Sequence, residues 1–119
     1  MKTLGLFLLA LLFVTICASV SVNAEDGKNV FLKHKCNNCH TVSTAGIEAK
    51  NKKSKAPDLV NVTVRHEKDW IRLFIRKTTG HVSCPVVDKS RDGKLHAIKF
   101  TGTQEEEDAL IDWLDKQRK

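Results

Sequence analysis

The sequence predicts a small, mostly α-helical domain with one short β-hairpin before its last helix. Three segments place apolar residues at helical spacing, whereas only one stretch has β-branched residues around a turn signal. A leader is predicted to be removed, so the domain comprises residues 25–119, which is 95 of the 119 residues. Domains of this size usually need disulfides, a metal or a cofactor as an additional source of stability.

Residues 1–24 have the features of a cleaved secretory signal peptide. Lys2 precedes an apolar run over residues 4–14, and small residues follow up to a cleavage site after Ala24. An uncleaved membrane anchor is the alternative, but the run is shorter than the ~20 residues that a span requires. A lipid on Cys17 is disfavoured by the bulky Ile16 before it. We therefore expect export to the periplasm or an equivalent compartment, with no stable membrane anchor after processing.

The composition of the exported chain restricts the classes of binding partner that can be expected. Met1 is the sole methionine and leaves with the leader, and so does Lys2, which leaves 19 basic and 14 acidic residues and a net charge of +5. The basic residues are spread along the chain rather than grouped with aromatics, and this argues against nucleic acid. An acidic redox partner protein is expected instead, with the lysine-rich run 50–55 as its candidate contact or as a merely solvated loop.

The strongest motif is "CNNCH", which spans residues 36–40. Residues three apart share one face of a helical turn, so Cys36 and Cys39 can form thioethers to one haem edge while His40 reaches the iron. A zinc site would need a second pair of ligands, and a thioredoxin-like redox pair would need a βαβ context. Neither is found in the sequence, so the motif predicts one covalent haem c with Cys36, Cys39 and His40 as its binding residues.

Three helices are predicted around this motif. The first leads into the cysteines over "EDGKNVFLK". The second, in "VRHEKDWIRLFIRKTTG", has Gly80 as its predicted stop. The last begins at Thr103, which forms a capping box with Glu106. The predicted buried residues of the last two helices are Trp70, Ile71, Leu73, Phe74, Ile75, Leu110, Trp113 and Leu114.

Together these features resemble a class I c-type cytochrome, a small, mostly α-helical fold around one covalent haem. The resemblance implies that Gly27 and Phe31 on the first helix pack against Leu110 and Trp113 on the last. It also implies that the carbonyl of Pro57, in "APDL", accepts a hydrogen bond from His40.

Two of these implied roles have plain structural alternatives. Trp70 matches an aromatic wall of the haem pocket, but it could equally be a core tryptophan. Pro57 could simply shape its loop, because Ala56 stands where the family has glycine.

The chain departs from the family where a distal methionine is expected, because Cys84-Pro85 stands there. We expect Cys84 to bind iron as a thiolate, with His81 as the main alternative and an open or lysine-bound iron as a third. His96 is assigned to the predicted hairpin rather than to the iron. The Cys-Pro replacement resembles His/Cys-ligated monohaem cytochromes such as the paired small cytochromes of anaerobic ammonium-oxidising bacteria.

A second departure is the β-hairpin predicted over residues 86–101, around Asp92-Gly93. Such a ribbon is marginally stable alone and needs a surface to pack on. It is expected either to cover its own haem edge or to form an interface with itself or with a second c-type cytochrome subunit.

These features predict a non-enzymatic protein with two overlapping functions. The first is low-potential electron transfer, because an anionic thiolate stabilises ferric iron. The second is binding of nitric oxide or carbon monoxide in the reduced state. Plain electron transfer, or a role as haem subunit of a sulfur-oxidising enzyme, is the alternative.

Overall fold

The computed structural model describes residues 24–80 and 93–119, and the side chains from residue 26 onward within them. The predicted leader, residues 1–23, lies outside the described residues, as do His81, Cys84 and the first part of the predicted hairpin. Within the described ranges, no helix has both the length and the apolar character needed to cross a membrane.

The described residues form four α-helices and two short 3₁₀ turns. The α-helices are α1 (Ala24–Lys33), α2 (Val62–Arg65), α3 (Lys68–Ile75) and α4 (Gln104–Asp115), and the 3₁₀ turns are Cys36–Asn38 and Ser43–Ala45. The described chain has no strand, only an isolated antiparallel bridge between Val42 and Ile47. The mostly helical class is therefore confirmed.

The crossing of α1 and α4 organises the fold. A Cβ atom on Gly27 would lie 2.2 Å from the carbonyl oxygen of Ala109 and 2.2 Å from Cβ of Trp113, so only glycine permits this approach. One turn further on, the rings of Phe31 and Trp113 are 5.3 Å apart and tilted by 48°. The predicted packing of the first helix on the last is confirmed.

The core spreads from this crossing. Its buried members are Val30, Phe31, Val42, Ile47, Val62, Ile71, Phe100, Ala109, Leu110, Ile111, Trp113 and Leu114. The capping box that begins α4 is also confirmed, because the Thr103 hydroxyl accepts from the Glu106 N–H and the Glu106 carboxylate accepts from the Thr103 N–H. Leu73, predicted to be buried, is half exposed on α3.

The end of α3 corrects the predicted stop at Gly80. Lys77 adopts a left-handed conformation (φ 60°) and its N–H donates to Phe74, while the Thr78 N–H donates to Leu73. This is a Schellman motif with lysine in the position where glycine is usual. Gly80 instead passes close to Gly93, where an added Cβ would lie 2.7 Å from the Gly93 carbonyl oxygen.

The predicted β-hairpin is not supported. Its described part, residues 93–101, contains no strand. The segment instead returns to α3, because the Phe100 N–H donates to the Ile75 carbonyl (2.8 Å) and the Phe100 side chain is buried. In this part of the chain, the buried Phe100 ring anchors the segment to α3, whereas the alternating pattern of residues predicted hydrogen bonds between two strands.

Candidate functional site

The turn after α1 brings the motif residues together. Lys35, two residues after the end of α1, takes a left-handed conformation (φ 57°), and the 3₁₀ turn follows at once. The N–H groups of Cys39 and His40 both donate to the Cys36 carbonyl, at 3.2 and 2.9 Å. The two thiols and the imidazole are therefore held within a single turn.

Both thiols of this turn are half-buried, and neither forms a disulfide. Burial raises the pKa of the Cys36 thiol to about 11. The thiol therefore carries its proton at neutral pH, and it packs against the hydrophobic core rather than facing bulk water.

The Pro57 loop orients the histidine of the motif. Nδ1 of His40 lies 2.9 Å from the carbonyl oxygen of Pro57. The loop is fixed by the Leu59 N–H, which donates to the Thr41 carbonyl (2.9 Å), and by Asp58, whose carboxylate accepts from the Ser43 N–H (3.3 Å). Because a carbonyl oxygen only accepts, Nδ1 must carry the proton, and the lone pair of the ring then lies on Nε2.

An aromatic stack forms one side of the site. His66, Trp70 and Phe74 are spaced four residues apart, and their rings stack in that order. The ring centres of His66 and Trp70 are 4.2 Å apart, and those of Trp70 and Phe74 are 4.8 Å apart. This row begins just before α3 and continues along it, with Trp70 as the central ring.

His96 completes the described part of the site, although the sequence assigned it to the hairpin. Its ring centre lies 6.1 Å from that of His40, with the two rings within 4° of parallel, and it meets the edge of Phe74 at 5.2 Å. No periodicity marks this residue. The feature of the sequence that could have indicated a role for His96 is its position between the apolar residues Leu95 and Ile98, which are both more than half exposed.

The remaining predicted ligands are not located. Cys84 and its alternative His81 lie outside the described residues. Within residues 24–80 and 93–119, no group of three or more His, Cys, Asp or Glu side chains is arranged to hold a metal ion. Cys36 and Cys39 thus have no further set of protein ligands nearby in the described chain that would form a zinc site.

The lysine-rich run is exposed, as a partner contact would require. Lys50, Lys52, Lys53 and Lys55 all face solvent on the loop that follows the motif. Lys52 pairs with Glu48 (2.5 Å), but both side chains are more than 70% exposed, so this pair contributes little to stability.

A helical domain with two thiols and an oriented histidine in one turn defines a haem-binding class of protein. Residues 24–117 match the family model described as Cytochrome c, and the chain belongs to that family. Such a domain carries one covalent haem c with its iron, takes part in electron transfer with a redox partner, and is typically extracellular or periplasmic. No curated protein and no solved structure matches the chain.

Proposed function

We propose that this protein is an exported, low-potential cytochrome with His/Cys axial ligation that transfers electrons and binds nitric oxide or carbon monoxide when reduced. The observation that carries the proposal is the 2.9 Å contact between Nδ1 of His40 and the Pro57 carbonyl. It fixes the tautomer that an iron ligand needs, on the histidine that directly follows the two thiols of the motif. Residues 25–119 form the functional domain, and residues 1–24 are the leader that directs export.

The described residues fit haem c. Cys36 and Cys39 are half-buried thiols outside any disulfide, so both sulfurs can form thioethers. Trp70 and Phe74 offer flat rings to a flat macrocycle. Leu95 and Ile98 add aliphatic surface beside His96.

Each proposed binding residue has a defined task. Cys36 and Cys39 anchor the cofactor covalently, and His40 binds its iron through Nε2. The Pro57 carbonyl accepts a hydrogen bond from Nδ1–H of His40, and this bond raises the basicity of the imidazole and favours ferric iron. Trp70 forms a wall that excludes water. When bound, haem c supplies an iron that takes up and releases one electron.

Cys84 is the proposed distal ligand, because Cys84-Pro85 replaces the expected methionine and the exported chain has no methionine. The thiolate neutralises positive charge on ferric iron and therefore lowers the reduction potential. On reduction this attraction weakens, and the sulfur can take up a proton because an ordinary thiol has a pKa of about 8.5. Cys84 would then leave the distal position to an uncharged gas.

The proposed partners follow from the net positive charge of the chain and from its exposed residues. A redox partner protein with an acidic face would approach the exposed lysines of the 50–55 loop, guided by the net positive charge. A second c-type cytochrome subunit, or a second copy of this chain, would pack on the segment that follows Cys84. We propose no enzymatic activity.

The test of this function is a potentiometric titration of wild type and Cys84→Met. We expect a reversible one-electron couple whose potential rises in Cys84→Met, because a neutral thioether replaces an anionic thiolate. Ser83→Ala, the preceding residue, is the matched control and should titrate like wild type. Equal potentials in wild type and Cys84→Met would contradict His/Cys ligation.

Gas binding has its own test. Carbon monoxide added to dithionite-reduced protein should shift the Soret band, whereas the ferric protein should not respond. A Soret band that stays unchanged at saturating gas would leave electron transfer as the whole function.

A further inference from the structure

Residues 117–119, which follow α4, cross to the loop that carries Pro57. The Asn61 N–H donates to the Gln117 carbonyl (2.9 Å), and the Lys119 N–H donates to Oδ1 of Asn61 (2.9 Å). The second of these bonds spans 58 residues of sequence. Because one bond uses the backbone and the other the side chain, both the position and the orientation of Asn61 are fixed. We call these two contacts the α4 clasp.

The backbone at Asn61 does not require this side chain. Asn61 has a left-handed conformation (φ 60°, ψ 18°) just before α2. Glycine adopts this conformation at the lowest cost, and asparagine usually adopts it with its amide bonded to neighbouring backbone. In this chain the amide oxygen instead accepts from Lys119. The side chain therefore serves the connection to residues 117–119.

The same segment also contacts the turn that follows the motif. The Thr44 hydroxyl donates to Oε1 of Gln117 (2.9 Å), and Nε2 of Gln117 donates to the Trp113 carbonyl (3.2 Å). The Gln117 side chain thus joins the 3₁₀ turn Ser43–Ala45 to the last part of α4. Residues 117–119 are therefore bonded to two segments of the site.

The clasped loop is the one that orients the histidine of the motif, and it has little freedom between Pro57 and Asn61. Oδ1 of Asp58 accepts from the Val60 N–H (3.0 Å) and from the backbone of the turn after the motif (3.3 Å). The Val60 side chain is buried, and Asn61 follows it directly. A displacement of Asn61 therefore moves the Pro57 carbonyl, which lies 2.9 Å from Nδ1 of His40.

Both halves of the haem-attachment site are thereby supported by α4. Within the helix, Ala109 and Trp113 hold α1 at Gly27, and α1 leads into the CNNCH turn. After the helix, residues 117–119 hold the Pro57 loop. One rigid helix thus fixes the imidazole relative to its hydrogen-bond acceptor.

We propose that Asn61 is a positioning residue for the iron ligand. The α4 clasp holds the Pro57 carbonyl against Nδ1–H of His40 and thereby lowers the reduction potential. This role rests on the proposed function only in that His40 binds the haem iron, and it is independent of the ligand on the opposite side. A hydrogen bond at Nδ1 makes the imidazole more basic, which favours ferric iron. Loosening the clasp weakens that bond and favours the ferrous state.

The experiment compares wild type with Asn61→Gly and Thr103→Ala, each with covalent haem. Asn61→Gly keeps the left-handed backbone but loses the amide. At the midpoint potential of wild type, its ratio of ferrous to ferric protein should be roughly two- to threefold higher, the lower end of what one hydrogen bond contributes. Thr103→Ala removes the capping box at the other end of α4 and controls for lost stability, so its potential should equal that of wild type.

Exchange of the Nδ1 proton of His40 with D₂O, followed by NMR on the reduced protein, reports on the bond itself. Carbon monoxide keeps this protein diamagnetic, whether the gas or a protein side chain fills the distal position. Exchange should be faster in Asn61→Gly by at least the same factor. Asn61→Asp keeps an acceptor for the Lys119 N–H and should restore the wild-type rate. Its added charge can by itself only lower the potential, so the exchange rate decides for this variant.

A change in neither readout, or in only one of them, in Asn61→Gly would overturn the role of Asn61. The same changes in Thr103→Ala would also overturn it, because lost stability alone would then explain them. If Asn61→Gly does not take up haem, Gln117→Ala, which loses only the bonds of its side chain, must show both changes in the same direction. The titration of Cys84→Met tests the proposed function separately, since the clasp does not involve the distal ligand.

Discussion

Nδ1 of His40 lies 2.9 Å from the carbonyl oxygen of Pro57, which joins the CNNCH turn to a loop 17 residues further along the chain. The contact determines which ring nitrogen can bind metal, so the backbone of one loop controls the chemistry of another. Leu59 and Asp58 hold this loop in place through the backbone of Thr41 and Ser43.

Pro57→Gly should therefore raise the reduction potential. The carbonyl remains, but the freed backbone no longer holds it against His40, and the imidazole loses electron density that favours ferric iron. One weakened hydrogen bond of this kind contributes about 0.5–1.5 kcal/mol. Ala56→Gly, which loosens the preceding residue, is the control, and potentiometric titration is the measurement. Equal potentials in Pro57→Gly and wild type would show that the contact has no electronic effect.

Gly27→Ala should disrupt the crossing of α1 and α4. The new Cβ would meet the Ala109 oxygen and Trp113 Cβ at 2.2 Å, so the helices must separate, at a cost near the upper end of the roughly 1–3 kcal/mol that overpacking causes. Gly46→Ala is the control, because its added Cβ would meet nothing within 4 Å and only its positive φ is strained, at a cost of about 1 kcal/mol. Denaturant unfolding of the haem-loaded proteins measures both. A Gly27→Ala variant no less stable than Gly46→Ala would refute the crossing.

Glu107→Gln should destabilise the contact between α3 and α4. The Glu107 side chain is only 3% exposed and pairs with Arg72 (3.1 Å) and with Arg76. Removing its charge leaves two half-buried guanidinium groups without their shared anion, and breaking such a pair costs about 3 kcal/mol. Asp108→Asn, which affects the same Arg72 from a side chain that is 45% exposed, should cost less than about 1 kcal/mol. Equal unfolding free energies for the two variants would show that burial does not matter here.

Glu106 should make stability depend on pH in the acid range. Its hydrogen bonds with Lys33, and then with His34, lower the pKa of this carboxyl to about 2. A glutamate carboxyl in an unfolded chain has a pKa of about 4.3. The stabilisation by the ionised Glu106 is therefore complete above that pH and is lost as the pH falls toward 2. The unfolding free energy of Glu106→Gln should therefore change less between pH 5 and pH 3 than that of wild type, as denaturant titrations can measure. Glu67→Gln, a matched change at another glutamate, is the control for the substitution itself. If the unfolding free energy of Glu106→Gln changed with pH as much as that of wild type, this pairing would be excluded.

Much of the fold could be predicted because its determinants are local or recur at fixed spacing. Gly27 and Trp113 identified the helix crossing, and Thr103 with Glu106 identified the start of α4. The contact between Pro57 and His40 followed from the family's motif. In each case a short pattern of residues defines one geometry.

The rest depends on contacts between distant segments. Lys77 adopts the left-handed conformation that follows the end of α3. Because glycine is the usual residue in that conformation, the sequence favoured Gly80 instead. Phe100 is buried against α3 rather than paired in a ribbon, and this burial places His96 opposite His40. A strand-like alternation over one short segment carries no information about such long-range packing.

Low-temperature EPR of the ferric protein and its Cys84→Ala variant tests the central claim of His/Cys ligation most directly. Wild type should give a low-spin signal of the thiolate type. Cys84→Ala should keep its covalent haem but lose that signal. A Cys84→Ala spectrum identical to that of wild type would contradict the account, and a simultaneous loss of signal in His81→Ala would assign the ligand to that histidine instead.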